Sequence, residues 1–394
     1  MHRLSDIQSA IRAEGLDGWL LYDFKGLNPI ALRVAGIPGD RFISRRWACF
    51  IPASGEPRWI AHAIEAGGLR DLAPDIAMYI SWQSWRDGLA ALLTGTGRVA
   101  MEVSPGCAIP YVSRVDAGTV ELIRSLGVEI VTSADLVQVA EAMWTAEQLA
   151  SHRRACAALI EIKDATFGHV RERLAAGQPV TECSVQDFMM MRFAAQGLET
   201  DHPPIVAVNA HAADPHFAPR RDADTPLRPG DFLLLDLWGR EPHPDAIYGD
   251  ITWVGYAGAE IPPRIRLVFE LVSRARDVAV AFASERLRAG QIVYGYEVDD
   301  ACRAVIAQAG FGPRFIHRTG HSIGTSGHGN GVNLDNLETQ DRRRLITGVG
   351  FSVEPGIYLP EEGFGVRLEI NCYVAAADIE VTTLPLQDEM AVLV

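Results

Sequence analysis

FLLLDLWG (232–239) and IYGDITWVG (247–255) each carry one aspartate inside a run that otherwise reads as a buried strand. The apolar residues Phe232 to Leu235 lead into Asp236. Asp250 interrupts the second run just before Ile251 and Thr252. A carboxylate in a buried strand is costly unless it is paired or bound to a metal. Taken singly, each acid also reads as a turn or cap residue. Two of them on neighbouring strands, joined by a hairpin-like loop (239–247), would project from one face of the pair and share a ligand.

Three more stretches downstream add polar residues of the same kind: HRTGHSIG (317–324), FSVEPGIY (351–358) and GVRLEINCYV (365–374). His317 and His321 are spaced i, i+4, and His328 follows. Glycines at 320, 324, 327, 329 and 331 let the backbone come close to a ligand. Glu354 precedes Pro355-Gly356 and so ends a strand at a turn. In Val366-Arg367-Leu368-Glu369-Ile370 the alternation puts Arg367 and Glu369 on one face and the three apolar residues toward the core. Read alone, that pair is equally a solvated face. Together, Asp236, Asp250, His321, Glu354 and Glu369 offer four carboxylates and one imidazole. That donor set suits a pair of hard or borderline divalent ions such as Mn²⁺, Co²⁺, Fe²⁺ or Zn²⁺. Two such ions about 3.5–4 Å apart activate a water and polarise a carbonyl together.

Composition narrows the function classes. A length of 394 residues favours two domains, and 48% apolar with 22% charged residues is ordinary for a globular enzyme. A net charge of −14 argues against phosphate-backbone binding, hence against nucleic acid. Lysine occurs only at 25 and 163, so no polybasic tract addresses a membrane. The six cysteines (49, 107, 156, 183, 302 and 372) are scattered without CxxC pairs and read as reduced core residues. The N-terminal stretch has no apolar segment followed by a small-residue cleavage site, and no run approaches the ~20 apolar residues a bilayer needs. The expected location is cytoplasmic.

Along the chain, residues 1–140 alternate helical and strand patterns, which suggests an α/β layer. Residues 4–13 are amphipathic; 19–24, 98–103 and the hairpin 47–52/58–62 are strand candidates; 112–126 has helical spacing. A boundary is expected near 132–147, before a long helix over 146–175 for which Thr145 and Gln148 supply a capping box. A second helix covers 184–196. Strands follow beyond 202, helices return at 265–287 and 298–309, and 350–358, 364–374 and 379–384 read as strands. The order could be two related halves of one domain, although no sequence repeat demonstrates it.

These motifs, in this order, resemble the pita-bread metallopeptidases: Xaa-Pro aminopeptidases, prolidases, methionine aminopeptidases and the related creatinases. The likeness runs from about 146 to 390. VAVNAHAADPHFAPR…LRPGDFLLLDL, HRTGHSIGTSGHG, VEPGIY and GVRLE carry it. Residues 1–140 more loosely resemble the N-terminal domain of the creatinase and prolidase branch, which methionine aminopeptidases lack. The resemblance implies an α+β chain: a smaller α/β creatinase-like domain (1–140) and a pita-bread catalytic domain (141–394). It implies two divalent ions, Mn²⁺ first among them. Asp236 would chelate one ion, Asp250 and Glu369 would bridge both, and His321 and Glu354 would complete the second. Glu354 would double as general base. His216, His317 and His328 would face the substrate, and Arg367 would orient a ligand carboxylate. The implied substrate is a short peptide cleaved before proline, and the implied assembly a homodimer.

The sequence also departs from the family pattern. Thirteen residues separate Asp236 from Asp250 where the family usually has ten, and the longer loop holds His243 and Asp245. Asp245, between Pro244 and Ala246, reads as a turn residue rather than a replacement ligand. The residue after Glu369, often acidic in the family, is Ile370. A metal-dependent relative acting on a non-peptide metabolite remains the alternative, and a non-catalytic binding module is disfavoured because all five ligands are present. For recognition of substrate termini, Arg45, Arg46 and Trp85 are candidates on chemistry alone.

Overall fold

The structure, a computed structural model, describes residues 3–394. They fall into two compact units, Met1–Glu141 and Ala142–Val394.

The first unit is built on one six-stranded sheet. Its strands are β1 (Gly18–Asp23), β2 (Trp47–Pro52), β3 (Arg58–His62), β4 (Ile76–Tyr79), β5 (Arg98–Met101) and β6 (Glu129–Thr132), in the order β4-β3-β2-β1-β5-β6. The β1–β2–β3 pairings are antiparallel; β3–β4, β1–β5 and β5–β6 are parallel. Both faces are covered, so β1 is buried at every position. Trp19 and Leu21 pack with α1 (Leu4–Ala13), α2 (Pro29–Ala35) and α5 (Ala134–Val137). Leu20 and Tyr22 pack with α3 (Trp82–Leu92) and α4 (Ala117–Ser125) on the other side. The helical spacing over 112–126 is only partly realised. Residues 110–112 form a separate 3₁₀ turn, and α4 begins after Asp116, whose carboxylate accepts the Thr119 N–H at 2.8 Å. β4 escaped the pattern reading because it is an edge strand with Ala77 and Met78 exposed, so it shows no apolar alternation.

In the second unit a helix pair precedes strands twice. First come α6 (Ala146–Ala175) and α7 (Glu182–Gln196), followed by β7 (Ile205–Val208), β8 (Phe232–Gly239) and β9 (Gly249–Tyr256). Then come α8 (Pro263–Arg288) and α9 (Gly295–Gln308). The remaining strands are β10 (Ser322–Ile323), β11 (Gly350–Val353), β12 (Gly356–Leu359), β13 (Phe364–Arg367), β14 (Ile370–Ala375), β15 (Asp378–Val381) and β16 (Ala391–Val392). The capping box of α6 forms as read: the Gln148 N–H donates to Thr145 Oγ1 and the Thr145 N–H to Gln148 Oε1. α7 starts two residues earlier than its apolar pattern, because Thr181 and Ser184 make a second capping box.

Two four-stranded sheets result, β16-β9-β8-β7 and β10-β11-β14-β15, with β12-β13 as a separate hairpin. The stretch 350–358 breaks at the turn that Glu354 and Pro355-Gly356 predict, and 364–374, expected as one strand, is broken as well. The first breaks at Glu354-Pro355, the second at Leu368-Glu369, and in each case the two pieces belong to different sheets. Pro355 has no N–H to continue a ladder. Glu369 instead bridges across to Thr252 of β9, its N–H donating to the Thr252 carbonyl at 3.1 Å. Both breaks therefore fall at a glutamate singled out by the sequence, and one of them ties the two sheets together.

Candidate metal centre

The register of β8 on β9 places Trp238 opposite Asp250 and Asp236 opposite Thr252. Side chains alternate along a strand, so the two aspartates stand on the same face of this pair. Both are only 8% exposed. Across from them, the Ser352 N–H donates to the His321 carbonyl at 2.8 Å, and the Glu354 N–H to the Thr319 carbonyl at 2.7 Å. His321 and Glu354 are thus set side by side at the β10–β11 edge. Ser352 couples them further: its hydroxyl accepts the His321 N–H at 3.0 Å and donates to Glu354 Oε1 at 3.1 Å.

The side chains converge. His321 Nε2 lies 3.4 Å from Glu354 Oε1, 3.7 Å from Asp250 Oδ2 and 3.9 Å from Glu369 Oε1. Asp250, His321 and Glu369 each offer a ligand atom within 4.8 Å of the others. Asp236 is approached from its own side by Arg367, whose Nη2 donates to Oδ2 at 2.5 Å. Arg367 also donates from Nε to Thr252 Oγ1 and from Nη1 to the Tyr358 hydroxyl. Thr252 in turn donates to Glu369 Oε2 at 2.9 Å. One guanidinium therefore holds Asp236 directly and is linked to Glu369 through the Thr252 hydroxyl. The solvated-face reading of Arg367 and Glu369 does not hold: they are 4% and 3% exposed. The alternating pattern concealed this because both faces of the segment are covered.

Electrostatics argues that a cation belongs here. Burial first, then Asp236 and Glu354, pushes the Asp250 carboxyl well above the usual range. Burial, Asp250 and Glu354 do the same to Glu369, and burial raises Glu354. Asp250 Oδ1 and Glu369 Oε1 are buried without any hydrogen-bond partner. Crowded acids with orphaned oxygens are what a divalent cation relieves. Burial, reinforced by Arg318, holds His321 down at about 4, so its imidazole is neutral near pH 7, the form that ligates metal. Its Nδ1 is turned to the Ser322 carbonyl at 3.1 Å, leaving Nε2 toward the acids.

The three other histidines divide. His216 and His328 are exposed on the wall of the same cavity, which measures about 880 Å³, with the His328 ring 4.1 Å from that of His321. His317 also lines it but is tied down, Nε2 to the Tyr358 hydroxyl at 2.8 Å and Nδ1 to the Arg318 carbonyl. Asp245 is exposed and is not among the residues lining the cavity. Sequence reading missed Ser352, Thr252 and Tyr358. No motif marks a lone hydroxyl, although each lies two to four residues from, or opposite, a residue that was identified.

The constellation defines a metal-dependent hydrolase. The profile of metallopeptidase family M24 matches residues 150–376, more than half of the chain, and the chain belongs to that family. It is 28% identical over 329 residues to a probable dipeptidase, PepE, of Mycobacterium tuberculosis, covering 82% of this chain and 80% of that one. It is 31% identical over 216 residues to an Xaa-Pro dipeptidase of Lactobacillus helveticus, covering 55% of this chain and 51% of that one. Among solved structures it resembles the dipeptidase PepE of Mycobacterium ulcerans, with a TM-score of 0.65, 25% identity, and 99% and 97% of the two chains covered. The α+β fold is the pita-bread one expected from the motifs. Among the described residues no helix is long and apolar enough to cross a membrane.

Proposed function

We propose that this metallopeptidase uses two divalent ions to cleave the Xaa-Pro bond of short peptides. The observation that carries the reading is the convergence of three acids, Asp250, Glu354 and Glu369, on His321, with two carboxylate oxygens left unpartnered and Asp236 on the same face as Asp250. Asp250 and Glu369 would hold both ions, Asp236 would complete one position, and His321 and Glu354 the other. Mn²⁺ is the first candidate, in keeping with an oxygen-rich donor set. Bound there, the ions supply an acidified water and Lewis-acid polarisation of the scissile carbonyl.

This chain's own residues do the remaining work. Burial raises Glu354, the direction required of a carboxylate that holds a proton between transfer steps. The Ser352 hydroxyl fixes its Oε1. His216 and His328 face the cavity, where they can hydrogen-bond the scissile carbonyl and the leaving nitrogen. A prolyl nitrogen has no N–H, so such a site recognises it by accommodating the ring rather than by an acceptor. Ile205, Pro215 and Ile316 supply apolar wall for that purpose. The cavity volume matches a short peptide. Six cysteines without a disulfide fit a cytoplasmic enzyme, and the reading takes it to be a homodimer.

The test is turnover of Leu-Pro and Leu-Pro-Xaa by metal-stripped protein resupplied with Mn²⁺, Co²⁺ or Zn²⁺. Metal-dependent release of the N-terminal residue is expected. Two bound ions per chain with no cleavage of either peptide would sink the peptide substrate and leave the non-peptide alternative.

A further inference from the structure

The thirteen residues between Asp236 and Asp250 do more than connect two strands. Their loop is fastened to α6: Arg154 donates from Nε and Nη2 to the two Glu241 carboxylate oxygens at 2.8 Å each, and Gln148 Nε2 donates to the Asp245 carbonyl at 3.4 Å. Ile247 and Tyr248 are buried with Trp144 and Ile323. On this mount stands Arg240. Its side chain is only 19% exposed and its guanidinium lies over the Tyr248 ring, 5.3 Å from the ring centre.

Arg240 meets both sides of the cavity mouth. On one side is the segment 199–202, of which Asp201 and His202 line the cavity. Glu199 and Arg240 exchange backbone hydrogen bonds at 2.9 and 3.0 Å, and Arg240 Nε and Nη2 hold Glu199 Oε1 at 2.9 and 2.8 Å. Two residues before Arg240, Trp238 donates from Nε1 to Asp201 Oδ1 at 2.7 Å. On the other side is the segment 324–329, of which Ser326, Gly327 and His328 line the cavity. Arg240 Nη1 donates to the Thr325 carbonyl at 2.8 Å, and the Tyr248 N–H to the Gly324 carbonyl at 3.0 Å. This second segment reads Gly-Thr-Ser-Gly-His-Gly, and Thr325, Ser326 and His328 are exposed. Three glycines in six residues give the backbone much conformational freedom to lose, and exposed side chains supply little packing against it. Hydrogen bonds from outside the segment therefore decide where it stays.

We infer that Arg240 is a positioning residue: it ties the two sides of the cavity mouth together and so holds His328 where it meets the substrate. The inference rests on the peptidase reading above, which sets His328 against the scissile bond. A guanidinium suits the task because its planar fork has separate N–H groups for Glu199 and for Thr325. A charged donor also makes a stronger bond to a carbonyl than a neutral one does. The metal centre does not depend on this tie. His321 is fixed apart from it, its N–H by the Ser352 hydroxyl and its Nδ1 by the Ser322 carbonyl.

The experiment compares wild type, Arg240→Ala and Arg240→Lys in three ways: amide exchange on metal-free protein, metal affinity by chelator competition, and kinetics with Leu-Pro. In Arg240→Ala, exchange over 199–202, at Tyr248 and over 324–331 should quicken at least about 10-fold, as the loss of a charge-assisted hydrogen bond implies, while β8 and β9 keep wild-type rates. Metal affinity should stay within about twofold. The kcat should fall roughly 10- to 100-fold with KM little changed, because a displaced histidine costs most where the bond is changing. Lysine brings one ammonium in place of the fork and holds one side at a time, so Arg240→Lys should recover part of the protection and part of kcat. Wild-type exchange over 324–331 in Arg240→Ala overturns the proposal. So does an undiminished kcat, or a loss of metal affinity as large as the loss of kcat, which would make Arg240 a support of the ligands and not of the mouth. If wild type cleaves no Xaa-Pro substrate, the peptidase reading falls by itself, and the exchange and metal measurements still decide whether Arg240 holds the mouth.

Discussion

Asp250 and Asp245 lie a few residues apart and occupy opposite environments. Asp250 is buried against His321, with one oxygen orphaned, while Asp245 is exposed and its N–H merely contacts His243 Nδ1 at 3.2 Å. Asp250→Asn should lose bound metal and at least about 100-fold in kcat/KM, since removing a ligand costs no less than removing a partner that only orients one. Asp245→Asn should retain both, by elemental analysis and turnover; loss of metal there would show the ligand assignment to be wrong. Arg367 makes a finer case. Lysine cannot donate at once to Asp236, Thr252 and Tyr358 as the guanidinium does. Arg367→Lys should therefore weaken metal binding by roughly 10- to 100-fold, measured by chelator competition, with the fold intact. Unchanged affinity would mean that Asp236 needs no such support.

At the scale of elements, the site depends on how closely the His321 segment and β11 approach. A Cβ on Gly320 would lie 1.9 Å from the Ser352 carbonyl oxygen, a backbone atom that cannot turn aside. Gly320→Ala should push the two segments apart, separate His321 from Glu354, and cost both metal and several kcal/mol of stability. Chelator competition and thermal unfolding would read this, and a variant with wild-type metal affinity would refute it. The same region shows what sequence can reveal. The residues of the proposed metal centre were legible because each acid sits in an apolar run where an unsatisfied charge is anomalous, and because His317, His321 and His328 share a glycine-rich stretch. The strand break at Glu354 is announced by Pro355-Gly356, but the one at Glu369 was not legible, since local alternation continues through it and only pairing with different sheets separates the pieces. Edge strand β4 was illegible for the opposite reason, having almost no buried face to leave a pattern.

Each unit of the molecule buries a titratable group that depends on pH in the opposite sense. In the first unit Glu102 is fully buried beneath Trp19, Asn28 and Ser133, which donate to it; burial nevertheless raises it to about 7. The native state then holds a proton that the unfolded chain has released by pH 7. Its contribution to stability is complete below the ordinary glutamate range and declines as pH rises from about 4.5 to 7. In the second unit His152 sits between the Tyr248 carbonyl and the Thr382 hydroxyl, and burial lowers it to about 4. The unfolded chain takes up a proton there that the native state refuses, so stability is complete above about 6.5 and declines as pH falls toward 4. Each effect is on the order of 3 kcal/mol at its full extent. Amide hydrogen exchange, corrected for intrinsic rates and read separately over 3–141 and 142–394, should show protection in the first segment weakening from about pH 4.5 to 7 and protection in the second strengthening over the same range. Parallel profiles for the two segments would mean that Glu102 and His152 do not dominate the pH response of their units. Reversed profiles would mean that the donors around Glu102 outweigh its burial.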